Sequence, residues 1–166
     1  LGNYAGRNDV GQTGNYNNGR GYIVLGGNGN HSHNIAMGSQ AAADLTDGCY
    51  NIVLGQHAAK EMTTGSSNIA MGHCVMAGGI TTGRLNIASG AVAAKNLTSG
   101  CYNIIFGCGA ASAQSITGKY NVLFGLLAGC CLSTGGDNTV IGTCAAQRLT
   151  TAVSYTHLTL PTTMLV

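Results

Sequence analysis

Charge is scarce in this sequence. Its 166 residues include seven Lys and Arg, five Asp and Glu, no Trp and one Pro, with aromatic residues at 5%. An ordinary globular domain carries about 25% charged residues, so the usual solvated surface is excluded. The formal net charge of +2 comes from scattered side chains with no basic run. Phosphate neutralisation, and with it nucleic-acid binding, has little to work with. No apolar run reaches the ~18 residues of a membrane span, so no membrane-crossing helix is expected. What is plentiful excludes other classes. A hydrophobic share of 45% argues against disorder, and 27 Gly without a G-X-Y period argue against collagen.

Both ends of the chain stand apart. It opens on Leu1, with no basic stretch and no signal-like apolar core. From Val153-Ser-Tyr-Thr-His-Leu-Thr-Leu-Pro-Thr162 onward it departs abruptly from what precedes it. That run resembles one reading frame of a transposase sequencing adapter. Residues 152–166, which hold Pro161 and His157, are therefore read as a non-native tail that packs outside the preceding fold.

A repeat fills the rest. An Asn, an apolar triplet and a Gly recur as Asn34 to Gly38, Asn51 to Gly55, Asn68 to Gly72 and Asn86 to Gly90. They recur again as Asn103 to Gly107, Asn121 to Gly125 and Asn138 to Gly142. Successive Asn are 17 or 18 residues apart, and a second Gly (Gly48, Gly65, Gly83, Gly100, Gly118, Gly135) stands three residues before the next Asn. An Ala-rich stretch lies between the two glycines. Residues 34–151 thus form one repeat array. In residues 1–33, Gly14 and Asn17 keep the phase but Ile23-Val-Leu25 does not, which marks degraded or interrupted coils.

A unit this short cannot hold two packed helices, and its triplets favour strands. The fold class is therefore all-β: a parallel β-solenoid or β-roll of 17–18-residue coils. The first and third triplet positions are taken as the interior, so that Ile52, Leu54, Ile69, Met71, Ile104, Phe106, Val122, Phe124 and Ile141 are buried. Lys60 and Glu61 are expected on the surface. The middle positions are apolar too, so a second face needs a partner, most simply two more copies in a homotrimer. The glycines at both strand ends are assigned positive φ at tight corners. The repeated Asn should stack at about 4.8 Å per coil into a side-chain ladder.

These residues resemble repeats of bacteriophage tail fibres over roughly Gly14 to Thr151. They are also similar to the left-handed parallel β-roll heads of trimeric autotransporter adhesins, where Ile35-Ala-Met37-Gly38 matches the adhesin core in register. The resemblance implies a left-handed, trimeric roll serving as a non-enzymatic shaft segment of a tail fibre in the virion. Such a shaft serves host attachment, with a cell-surface glycan or protein receptor contacted through distal parts and a self-cleaving chaperone domain often following. The alternative it implies is the binding head of a bacterial surface adhesin.

Chemical motifs add little. Cys49, Cys74, Cys101, Cys108, Cys130, Cys131 and Cys144 form no CxxC and are odd in number, so they are read as small fillers rather than a zinc site or a disulfide set. No metal site or cofactor is assigned. The candidate metal pair is His31 and His33, two imidazoles placed on one strand face, from which three chains would present six nitrogens. His57 and His73 fall at corners with no Cys or carboxylate at ligand spacing, and are read as surface residues. Asp9, Asp44, Asp47, Glu61 and Asp137 share no repeated column, and no nucleophile elbow occurs, so no enzyme is expected. Tyr16, Tyr50, Tyr102 and Tyr120 each precede a frame Asn, which predicts ring stacking between Tyr102 and Tyr120.

Overall fold

The computed structural model describes residues 16–113 and 115–158. Its strands are β1 Asn18–Arg20, β2 Ile35–Met37, β3 Ile52–Leu54, β4 Ile69–Met71, β5 Ile87–Ser89, β6 Ile104–Phe106, β7 Val122–Phe124, β8 Thr139–Ile141 and β9 Thr156–Leu158. They form one parallel sheet in chain order, each strand pairing with the equivalent triplet of the next coil, as in Ile52↔Ile69 and Ile104↔Val122. Strand pairs one coil apart, with no other element between them, make a β-solenoid. The remaining sides are closed by further coil-to-coil bonds, such as Ala42 N–H to Ala58 C=O (3.0 Å) and Thr46 N–H to Thr63 C=O (2.9 Å).

The strand assignment holds, but its faces are the reverse of the sequence reading. The middle residue points in: Ala36, Val53, Ala70, Ala88, Ile105, Leu123 and Val140 are all buried. Ile52, Ile104, Phe124 and Ile141 are exposed, Phe124 by 46%, while Leu54, Ile69, Met71, Phe106 and Val122 are half-buried. The cause is the Asn. Its side chain lies inside, so alternation puts the second triplet residue inside with it and the first and third outside. The interior is also narrow. It is filled by that middle column, a double column of small residues such as Ala58–Ala59 and Ala93–Ala94, and a larger one holding Leu45, Met62, Leu97 and Leu132. Lys60 and Glu61, expected on the surface, are half-buried.

The two glycine columns turn for different reasons. Gly107, in the column after the strand, has φ 134°. Gly118, in the second column, has no positive φ, which corrects the expectation for that corner. Both share a close approach: a Cβ on Gly107 would collide with the carbonyl oxygen of Gly125, and one on Gly118 with that of Gly135. Much of the positive φ is carried instead by non-glycine columns, among them His57 (55°), Ala59 (46°) and Ser67 (57°). Such residues normally cost ~1–2 kcal/mol each, so the coil-to-coil bonds must hold them there.

The phase survives at both ends. Asn18–Arg20 pairs with Ile35–Met37, and Val24 and Leu25 fill the column of Ala41 and Ala42, which explains why they sit off the strand frame. Residues 1–15 lie outside the described residues. At the far end β9 pairs with β8 in register (Thr139↔Thr156), against the expectation that the tail packs outside the frame. The edge strand β8 offers unpaired backbone groups, and an extended triplet can take them up without the repeat's side chains. There Tyr155 stands where the ladder would have its next Asn, and its N–H bonds Asn138 Oδ1 at 2.9 Å.

Candidate functional site

Inside the coil the frame Asn form a continuous hydrogen-bonded file. Each Oδ1 accepts the backbone N–H of the next Asn, as Asn51 Oδ1 does from Asn68 (2.9 Å) and Asn86 Oδ1 from Asn103 (3.1 Å). Each Nδ2 donates to a corner carbonyl, as Asn51 does to Gly65 (2.8 Å) and Asn121 to Gly135 (3.0 Å). Asn34, Asn51, Asn68, Asn86, Asn103, Asn121 and Asn138 are all buried, with their amide groups occupied. These residues hold the shape and offer nothing to a ligand.

The outer face of the sheet is different. Ile35, Met37, Ile52, Ile104, Phe124, Ile141 and Leu158 are exposed along it, and the Phe106 and Phe124 rings stack 4.8 Å apart. Seven strand spacings of about 4.8 Å, from β2 to β9, make this apolar stripe roughly 34 Å long. No polar side chain of the triplets interrupts it between β2 and β7 except Ser89.

Beside the stripe runs the column just before the Asn. Tyr102 and Tyr120 stack at 5.0 Å, as the spacing predicts. A longer stack went unread in the sequence: His33 lies between Tyr16 and Tyr50, 4.9 Å from each. The signal was available, since residues 16, 33 and 50 are 17 apart. The rings spend most of their faces on one another, so a sugar would find only the outermost faces and the edges.

The paired imidazoles do not converge. His31 occupies the column that holds Gly48 in the next coil, and it is 3% exposed with no well-formed hydrogen bond at either ring nitrogen. Burial pushes its imidazole below the ordinary histidine pKa, against the Gly27 backbone and the Asp47 carboxylate, which pull upward. His33 faces outward in the ring stack, and neither residue lies in a strand. A positive φ of 58° at His33 breaks the alternation that would have put both on one face.

No family model, curated protein or solved structure matches the chain.

The cysteines are not core fillers. All seven are free, four half-buried and three exposed, on the outward columns of the coil. Cys130 and Cys131 bring their sulfurs to 3.9 Å, and burial pushes the Cys130 thiol above its usual range, with Cys131 adding to the shift. An open groove is lined by Ala113, Ser115, Thr117, Cys131, Ser133 and Thr134, a set that brings no acid–base pair together. His57 and His73, read as isolated, meet Cys74 at one corner. No helix among the described residues is long and apolar enough to cross a membrane.

Proposed function

We propose that this chain is a structural, non-enzymatic shaft segment of a phage tail fibre, assembled as a homotrimer in the virion, with the left-handed wind that its resemblance implies. The shaft holds a receptor-binding part away from the particle, and the receptor is contacted through distal parts of the fibre. The observation that carries the reading is the apolar stripe, broken between β2 and β7 only by Ser89. A single coil stack leaves roughly 34 Å of mainly Ile, Met and Phe facing water, more than a scattering of exposed apolar residues. Every copy carries the same stripe in the same register, so a symmetric bundle covers all of them at once. Two further copies of this chain are the occupants we assign to it.

A second reading, the binding head of a bacterial surface adhesin, draws on the exposed rings. Tyr16 is 81% and Tyr50 62% exposed, and their stack with His33 is the largest aromatic feature outside the stripe among the described residues.

Sedimentation of the full chain tests the assembly: a species of three times the 16.7 kDa chain mass is expected, and a stable soluble monomer overturns the trimer. Labelled trimer incubated with bacterial and animal cells then separates the two readings. A shaft leaves the cells unlabelled. Retention on cells that Tyr16→Ala and Tyr50→Ala abolish supports the adhesin head.

A further inference from the structure

The repeat frame brings three metal-binding side chains to one corner of two successive coils. His57 stands two residues after the corner Gly55, and Cys74 two residues after Gly72, so they occupy the same column 17 residues apart. Both have positive φ, 55° and 53°, and the Cys74 N–H bonds the Gln56 carbonyl at 3.0 Å, which fixes the spacing of the two coils there. His73 reaches in from the neighbouring column. Cys74 Sγ lies 3.4 Å from His73 Nε2 and 4.0 Å from His57 Nδ1, and the three donor atoms all fall within 4.8 Å of one another.

The shortest of those separations already equals an edge of one tetrahedron, and the others exceed it by about an ångström or less. With Zn–S near ~2.3 Å and Zn–N near ~2.05 Å, adjacent ligands about a tetrahedral zinc sit roughly 3.4–3.6 Å apart. The pairs at 3.4 and 4.0 Å therefore need only small side-chain rotations to face a common centre. The donor set selects the ion. A thiolate and two imidazoles suit zinc and its soft or borderline neighbours, while calcium and magnesium require oxygen ligands, which this set lacks. His73 is exposed and the other two half-buried, so the fourth position opens to water. The equivalent columns of the adjoining coils carry Ser39 and Gln40 on one side and Ala91 and Val92 on the other, so the cluster is confined to this corner.

We propose that His57, His73 and Cys74 bind one zinc ion, with water as the fourth ligand, at the corner joining the coils of β3 and β4. On binding, the Cys74 S–H bond breaks, its proton passes to solvent, and the sulfur donates its electron pair to the metal without any change of oxidation state. The two imidazoles bind as neutral rings through His73 Nε2 and His57 Nδ1. The ion clips one coil to the next outside the Asn file, and it is an addition to a fold that the file and the core already hold. The site is independent of the proposed role in a fibre.

The test is titration of the reduced full chain with cobalt(II), followed by zinc(II). Expected is one equivalent of cobalt giving a tetrahedral visible spectrum with a thiolate-to-cobalt band, both bleached by zinc. Cys74→Ser should remove the thiolate band. His57→Asn, which suits the positive φ, and His73→Gln should each weaken binding beyond the roughly 10–100-fold that outer-shell partners are worth. Cys130→Ser/Cys131→Ser, which removes the other close pair of sulfurs, should leave the titration unchanged. Far-ultraviolet circular dichroism of each variant confirms that the coils remain folded. Absence of the tetrahedral spectrum, its persistence in folded Cys74→Ser, or its loss in Cys130→Ser/Cys131→Ser overturns the assignment.

Discussion

An amide buried in an apolar core survives only when its donors and acceptor are all occupied, and Asn103 shows how the repeat achieves this. Its Oδ1 accepts from both the backbone N–H (3.0 Å) and Nδ2 (2.9 Å) of Asn121, while its Nδ2 donates to Asn86 Oδ1 (3.0 Å) and Gly118 C=O (2.9 Å). Asn103→Ala strands partners on both neighbouring coils, each unsatisfied group costing ~1–3 kcal/mol. A loss on the order of 3 kcal/mol or more is expected in urea unfolding, against about 0.5 kcal/mol or less for exposed Lys95→Ala. His31 makes a pH-dependent case. Its pKa in the folded chain lies below the ordinary 6.5, so the unfolded chain takes up a proton that the folded coil resists. Stability from this group is complete above the unfolded value. It declines as pH falls from 6.5 toward the lowered folded value, and levels off below that. Melting should therefore be lower at about pH 5 than at about pH 7.5, and His31→Gly, which restores the residue of that column, should shrink the difference. The Asn file was legible in the sequence because a polar residue held at fixed spacing beside apolar triplets can be satisfied by its own copies one coil away. The burial of His31 was not, because two histidines in the i, i+2 pattern read as one face until a positive φ intervenes.

At the scale of the strand, legibility stopped at the choice of face. Three residues between an Asn and a Gly give period-two alternation only one and a half cycles, too few to say which side is wet. Bulk suggested that Ile, Met and Phe go inside. The narrow coil decided otherwise, since Ala at the middle of β2, β4 and β5 leaves no room for larger pairs. The Asn itself held the answer: a residue that must be inside fixes the parity of the triplet that follows. Two adjacent substitutions separate core from outer face. Leu123, 1% exposed, should cost ~2–5 kcal/mol when replaced by Ala. Phe124→Ala should leave the melting of an isolated coil stack nearly unchanged, while weakening self-association in sedimentation. If Phe124→Ala destabilises a monomeric chain as much as Leu123→Ala does, the outer face is not an assembly surface.

For the molecule as a whole, the period mattered more than any single residue. Spacings of 17 and 18 between Asn were enough to give a parallel solenoid, because each coil must present the same groups to the next. The added residue of the longer coils falls in the Ala-rich stretch, where Thr81 and Ile116 turn inward and Thr81 Oγ1 donates to Leu97 C=O at 2.8 Å. Partners were less legible, since a repeat specifies its own neighbours and says little about distant ones. The frame predicts which deletions are tolerated. Removing residues 52–68, one whole coil, joins Asn51 to Ile69 and should leave a folded, shorter solenoid by circular dichroism. Removing residues 52–60 breaks the register of every column and should leave the chain largely unfolded.

The coil-to-coil hydrogen bonds also decide how the stack meets a mechanical load. They run along the solenoid axis, so a pull applied to the two ends of the chain opens them in series, one layer after another, rather than shearing them all together. The file of Asn makes each layer a discrete step, since a coil cannot leave without breaking its link in that file. Stretching a single chain should then produce a staircase, each step releasing 17 or 18 residues, or roughly 58–61 Å of extended backbone. Such a stack yields gradually under tension instead of failing at one point.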